Sequence, residues 1–189
     1  MKRANKSFFF LFIFLFTSFV RINAQTLDAL LEEGEKYYKQ FNNEKALETF
    51  KKAEKIDPNN FDVLWHLSRT YVDIADRMPT STGEQEDAQL AVFQKALDYA
   101  DKAVKLKPDQ SAGLLRRAIA NGKITLFKGV FSVAGVVNSV KADVEKAIQL
   151  GSGGNFIQGV AHYVLGRTHA ETSDKWKPAR VILGLGWAN

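Results

Sequence analysis

From Leu27 to Asn60 the chain runs through 34 residues in which Gly34, Ala46 and Ala53 alternate with Leu30, Tyr37 and Phe50 and which closes on Asp57-Pro58. Few arrangements satisfy that spacing. Small residues let two helices approach closely while the large ones fill the gap between them, and the Asp-Pro pair stops the second helix. A helical hairpin of this length cannot bury its apolar face alone, so a chain of such units must stack them.

The signs recur. Phe61 opens a second unit with Leu64, Leu67, Ser68 and Tyr71, followed by Ala96, Ala100, Ala103 and Pro108, with 16 residues more than the repeat requires between Tyr71 and Ala96. Those residues are expected to lengthen the helices, the second running from about Glu84 to Lys107. Met78-Pro79-Thr80-Ser81-Thr82-Gly83 makes the turn, and Ser81 with Glu84 has capping-box spacing. A more degenerate third unit carries Leu114, Ala118 and Asn121, then Val144 and Ala147, and ends in Gly151-Ser152-Gly153-Gly154, read as a helix stop and linker. A fourth first-helix carries Leu165-Gly166 with no complete partner helix after it. The last apolar stretch, Val181 to Trp187, either folds back as a cap or marks a chain whose next helix is absent.

Six of the eight signature positions in the first unit match, so the units resemble tetratricopeptide repeats. The expected fold is all-α: a right-handed superhelical solenoid of antiparallel helix pairs with lengthened helices, its repeats at about 27–60, 61–110 and 111–154 with a partial fourth at 155–189. The longer order Leu64-Trp65-His66-Leu67-Ser68-Arg69-Thr70-Tyr71, Ala100-Asp101-Lys102-Ala103-Val104-Lys105-Leu106 and Tyr163-Val164-Leu165-Gly166-Arg167, with Trp176 and Arg180, is similar to the regulator of microtubule dynamics proteins and their bacterial relatives. That resemblance covers the mature chain, inserted segments included. It implies a helical repeat with binding or tethering roles, no agreed catalytic residues, and a further helix beyond Asn189.

Residues 1–24 differ from the rest. Lys2, Arg3 and Lys6 precede an uncharged apolar run, Phe8 to Val20, with seven phenylalanines, the plan of a secretory signal peptide. At 13 residues the run is shorter than the roughly 20 that span a bilayer. Cleavage is expected between Ala24 and Gln25, leaving a single domain, 25–189, in the periplasm or outside the cell. The chain has no cysteine, which excludes a lipid-anchored cysteine and disulfide staples.

The leader holds four of the 26 basic residues and none of the 21 acids, so the mature net charge is 22 − 21 = +1 and the basis for nucleic-acid binding disappears. What remains is uneven: 12 basic and 17 acidic groups over 25–110, 10 and four over 111–189.

First helices line the concave face of such a repeat, and their groove-facing positions here are Trp65 with Arg69 and Tyr163 with Arg167. Each is an aromatic and an arginine at i, i+4, able to stack on a ligand and offer a forked donor to a carboxylate. Leu31 with Glu35 takes the matching place in the first repeat, beside Tyr38. The alternative for the arginines is pairing with Asp73, Asp76 or Glu86 to tie helices together. His162 and His169 lie two turns apart, roughly 10 Å, too far for one ion without helpers, and no metal, cofactor or catalytic motif is found. The apolar segment 124–137 is read as core packing of a long helix, with contact to a membrane surface as the alternative. The function expected is non-catalytic binding of a protein or peptide segment along the groove, in the cell envelope. The alternative is a membrane tether using the basic half and the 124–137 segment, and an open C-terminal end would favour self-association.

Overall fold

The computed structural model describes residues 26–127, 130–175 and 177–188. The expected signal peptide and its cleavage site, the centre of the 124–137 segment and Trp176 lie outside the described residues. The described chain is all-α: α1 (26–39), α2 (Asn43–Ile56), α3 (Phe61–Ala75), α4 (Gly83–Leu106), α5 (Ser111–Thr125), α6 (Val130–Leu150), α7 (Gly154–Ser173) and α8 (Lys177–Ile182). Among the described residues no helix is long and apolar enough to cross a membrane. The chain divides into two units, Met1–Pro58 and Asn59–Asn189.

In the first unit α1 and α2 close on each other where the repeat pattern requires it. A Cβ on Gly34 would lie 2.7 and 2.8 Å from Cδ1 and Cζ of Phe50, so only glycine admits the ring. Phe50, Ala46 and Ala53 are fully buried, and burial of one such phenyl ring contributes roughly 1.5–3 kcal/mol. The Asn42 side chain caps α2 by accepting from the Lys45 amide at 3.2 Å, and the extended Asp57 before Pro58 ends it.

In the second unit α3 to α7 pack in sequence, and α5 also touches both α3 and α7. The long insertion is absorbed by α4, which spans 24 residues. Its added turns bury Phe93 against Val72, Ala75, Ala120 and Ile124, and Gln89 donates to the Ala75 carbonyl at 2.8 Å, satisfying an acceptor at the end of α3. The cap of α4 sits one residue later than the sequence suggests. Thr82 accepts from the Gln85 amide at 3.3 Å while Gln85 Oε1 accepts from the Ser81 amide at 2.8 Å. Thr82 and Gln85 thus stand in place of Ser81 and Glu84, because the extended residue is Thr82, and Gln85 reaches back to the amide one residue before the cap.

The glycine-rich loop does more than stop a helix. Gln110 lends α5 no side-chain cap; instead Ser152 Oγ accepts from the Ser111 amide at 2.8 Å and Ser111 Oγ donates to the Ala147 carbonyl at 2.7 Å. Gln158 donates to the Ser152 carbonyl at 2.9 Å. Three helix ends are thereby joined through one polar knot, with Gly153 at φ 84° making the turn. In the 124–137 segment Ile124 is buried, Phe127 meets Phe93 at 6.0 Å and Val136 packs on the main core, whereas Leu126 is exposed.

Candidate interaction surface

The two aromatic–arginine pairs share a spacing and differ in environment. On α3, Trp65 is half-buried and donates its indole N–H to Asp62 Oδ1 at 3.0 Å. Arg69 is 2% exposed, with Cζ 5.1 Å from the Trp65 ring centroid. Arg116 on α5, absent from the sequence expectations, is 6% exposed and brings a second guanidinium to 6.0 Å from the same ring. His66 lies against the indole with centroids 3.6 Å apart. Burial, then Arg69, then Arg116 hold its imidazole well below the usual histidine range, so it is neutral at pH 7.

This corrects one expectation. Arg69 does not project into an open groove; it is walled in with Trp65, His66 and Arg116 between α3 and α5. The physical reason is position: α3 is flanked by both α4 and α5, and a guanidinium stacked on an indole keeps favourable contacts after losing water. Of the acids offered as alternative partners, Asp76 accepts from Lys123 instead, at 2.6 and 2.7 Å. Beside it Arg117 forks onto Asp143 at 2.7 and 2.6 Å, tying α5 to α6.

On α7 the same motif faces solvent. Tyr163 is 63% exposed, and Arg167 donates to Glu171 Oε1 through Nε at 3.1 Å and through a second guanidinium nitrogen. The Glu171 carboxylate, then Tyr163, raise the Arg167 pKa further. Residues 163, 167 and 171 form an exposed aromatic, cationic and anionic row along one face. Glu35 and Tyr38 sit half-buried on α1 in the first unit. In the second unit α5 stands between the α3 pair and the α7 pair.

The histidines separate as well. His162 is exposed, whereas His169 meets the Trp187 ring edge-on at 4.9 Å. Among the described residues no group of three His, Asp or Glu side chains could hold a metal. The C-terminal stretch folds back: Leu185 and Ala188 are buried, and Trp187 donates its indole N–H to Asn138 Oδ1 on α6 at 2.8 Å. Sequence reasoning saw an aromatic near Asn189 but had no means of finding its acceptor, 49 residues earlier.

Stacked pairs with a signature glycine accepting a phenyl ring define the tetratricopeptide class, and solved structures agree. The first tetratricopeptide domain of Spaghetti (RPAP3), bound to the HSP90 peptide SRMEEVD, is 21% identical over 79% of this chain and 95% of that one, with TM-score 0.54. PcrH in complex with the chaperone binding region of PopD is 12% identical over 78% and 94%, TM-score 0.55. An O-GlcNAc transferase of Thermobaculum terrenum is 17% identical over 88% of this chain but 26% of its own, TM-score 0.58. The chain belongs to the family of regulator of microtubule dynamics protein 1-3, whose sequence profile matches residues 30–175. No curated protein matches it.

Proposed function

We propose that this protein is a non-catalytic scaffold of the cell envelope that holds a protein or peptide segment, with the exposed face of α7 as its contact surface. The observation that carries this reading is the solvent-facing row Tyr163–Arg167–Glu171. A rigid aromatic body beside a forked cation and a carboxylate contacts peptide side chains and backbone at low entropic cost. Support comes from neighbours of the same fold, one bound to an HSP90 peptide and one in complex with the chaperone binding region of PopD. Trp65 and Arg69 serve this surface indirectly, by fixing α5 against α3. The N-terminal pattern supports export, with Gln25 as first residue of the mature chain.

The test is selection from a displayed random-peptide library on the immobilised mature chain, residues 25–189. Selected peptides should lose at least tenfold in affinity on the double substitution Tyr163→Ala, Arg167→Ala, with stability lowered by less than about 1 kcal/mol, since both side chains are exposed. Absence of any binder, or binders indifferent to both substitutions, overturns the assignment. N-terminal sequencing after fractionation decides export: a periplasmic or secreted chain beginning at Gln25 supports it, and a cytoplasmic chain beginning at Met1 removes it.

A further inference from the structure

Tyr163 and His169 are six positions apart, which at 3.6 residues per turn places them roughly 120° apart around α7. On the His169 side, away from the peptide-contact row, α6 and α7 form a socket around the Trp187 ring. Asn138 Oδ1 accepts its indole N–H at 2.8 Å. Lys141, one turn along α6, places Nζ 5.3 Å from the ring centroid while pairing with Glu145 at 2.6 Å. The His169 ring closes the third side at an interplanar angle of 74°. An indole offers one donor, an electron-rich face and an apolar body; the socket supplies an acceptor, a cation and an aromatic edge.

Apart from the ring, the segment is held by a few local bonds: the Leu185 amide donates to the Arg180 carbonyl at 2.7 Å, the Gly184 amide to the Val181 carbonyl at 3.1 Å and the Ala188 amide to the Leu185 carbonyl at 3.3 Å. Gly184, at φ 70°, makes its turn, and the Asn138 amide reaches the Gly184 carbonyl only at 3.5 Å. Leu185 and Ala188 are buried and Arg180 donates to the Ala188 carbonyl, but Val181 and Ile182 are 62% and 81% exposed. A six-residue segment outside the helices, with Leu185 and Ala188 as its buried anchors besides the ring, opens at lower free energy than the helices beneath it.

We propose that Asn138, Lys141 and His169 form a recognition site for an indole-bearing peptide segment, filled in cis by Trp187 and open to a tryptophan presented in trans when residues 183–188 lift away. The tethered ring acts as a built-in competitor whose high effective concentration sets the threshold a trans ligand must exceed. This site is independent of the Tyr163–Arg167 surface and stands whether or not that surface binds peptide.

The probe is a fluorescein-labelled peptide of residues 180–188, titrated by anisotropy into the full chain and into Trp187→Ala. Saturable binding to Trp187→Ala is expected, with binding to the unsubstituted chain at least tenfold weaker. At least tenfold should also be lost when alanine replaces the peptide's tryptophan, or when Asn138→Ala is added to Trp187→Ala. Should Trp187→Ala fail to fold, as circular dichroism would show, the unsubstituted chain answers: excess unlabelled peptide must move the Trp187 indole N–H resonance to a solvent-exposed position. Equal binding of the tryptophan and alanine peptides, or a Trp187 resonance unmoved by saturating peptide, overturns the proposal.

Discussion

Trp65–Arg69 and Tyr163–Arg167 are the same sequence motif at the same place in their repeats, yet one is interior and the other is surface. Helix α3 packs against both α4 and α5, so its pair is enclosed with Arg116 and becomes part of what fixes α5. On helix α7 both Tyr163 and Arg167 are exposed, so that pair keeps its water. Burial, and not residue identity, separates an aromatic–arginine pair that stabilises from one free to bind.

The contrast is broken most sharply by truncating the two aromatics. Trp65→Ala should destabilise the chain by about 3 kcal/mol, because it leaves a void and strips two buried guanidiniums of their stacking partner. Tyr163→Ala should change stability by less than about 0.5 kcal/mol, as exposed substitutions do. Denaturant melts of the two variants check this, and equal losses would mean that the α7 pair is as structural as the α3 pair.

A pH titration of stability sharpens the same contrast. The folded His66 pKa lies well below its ordinary value of 6.5, so between those two values the unfolded chain binds the proton and the folded one does not. Stability should therefore be level above about pH 7.5 and fall by up to about 1.4 kcal/mol per unit as the pH drops below 6.5. His66→Gln should flatten that limb, and an unchanged slope in the variant would show that the imidazole is not held neutral.

The signature glycines make a second such pair. Gly34 lies against the Phe50 ring, whereas a Cβ on Gly166 would meet nothing within 4 Å. Gly34→Ala should cost about 1–3 kcal/mol by overpacking, while Gly166→Ala should gain about 0.5–1 kcal/mol from reduced backbone freedom in the unfolded chain. Opposite signs in thermal melts confirm that α7 lacks a ring in that slot; a loss at both positions contradicts it.

Spacing alone carried most of the fold into the sequence. Gly34, Ala46, Phe50 and Ala53 are local to one hairpin, and their periodicity is the packing itself. Even the α4 lengthening was legible, since 16 extra residues between Tyr71 and Ala96 with a turn near Pro79 leave little else to build. The site was less legible because burial is not a local property. Nothing within α3 says that Arg116, 47 residues after Arg69, will share its tryptophan, and nothing near Trp187 names Asn138. Ser152 was hidden for the same reason: its partner Ser111 opens a helix 41 residues earlier, and a glycine-rich run reads as a linker until the far end is seen.

The smallest expected difference lies in the ion pairs. Arg117–Asp143 joins two helices through two short hydrogen bonds, with the Asp143 side chain 13% exposed, and losing the carboxylate leaves a partly buried guanidinium without its fork. Asp143→Ala should therefore cost about 2 kcal/mol. Arg167–Glu171 lies along a single helix with both side chains more than half exposed, so Glu171→Ala should cost about 0.3–0.5 kcal/mol and less in added salt. If Arg167 is a contact residue, the same substitution also frees its guanidinium, and peptides carrying a carboxylate should bind the Glu171→Ala chain more tightly than the unsubstituted one. Stability and binding would then move in opposite directions at one residue, as they would not at Asp143, where the fork is structural and its loss should weaken both.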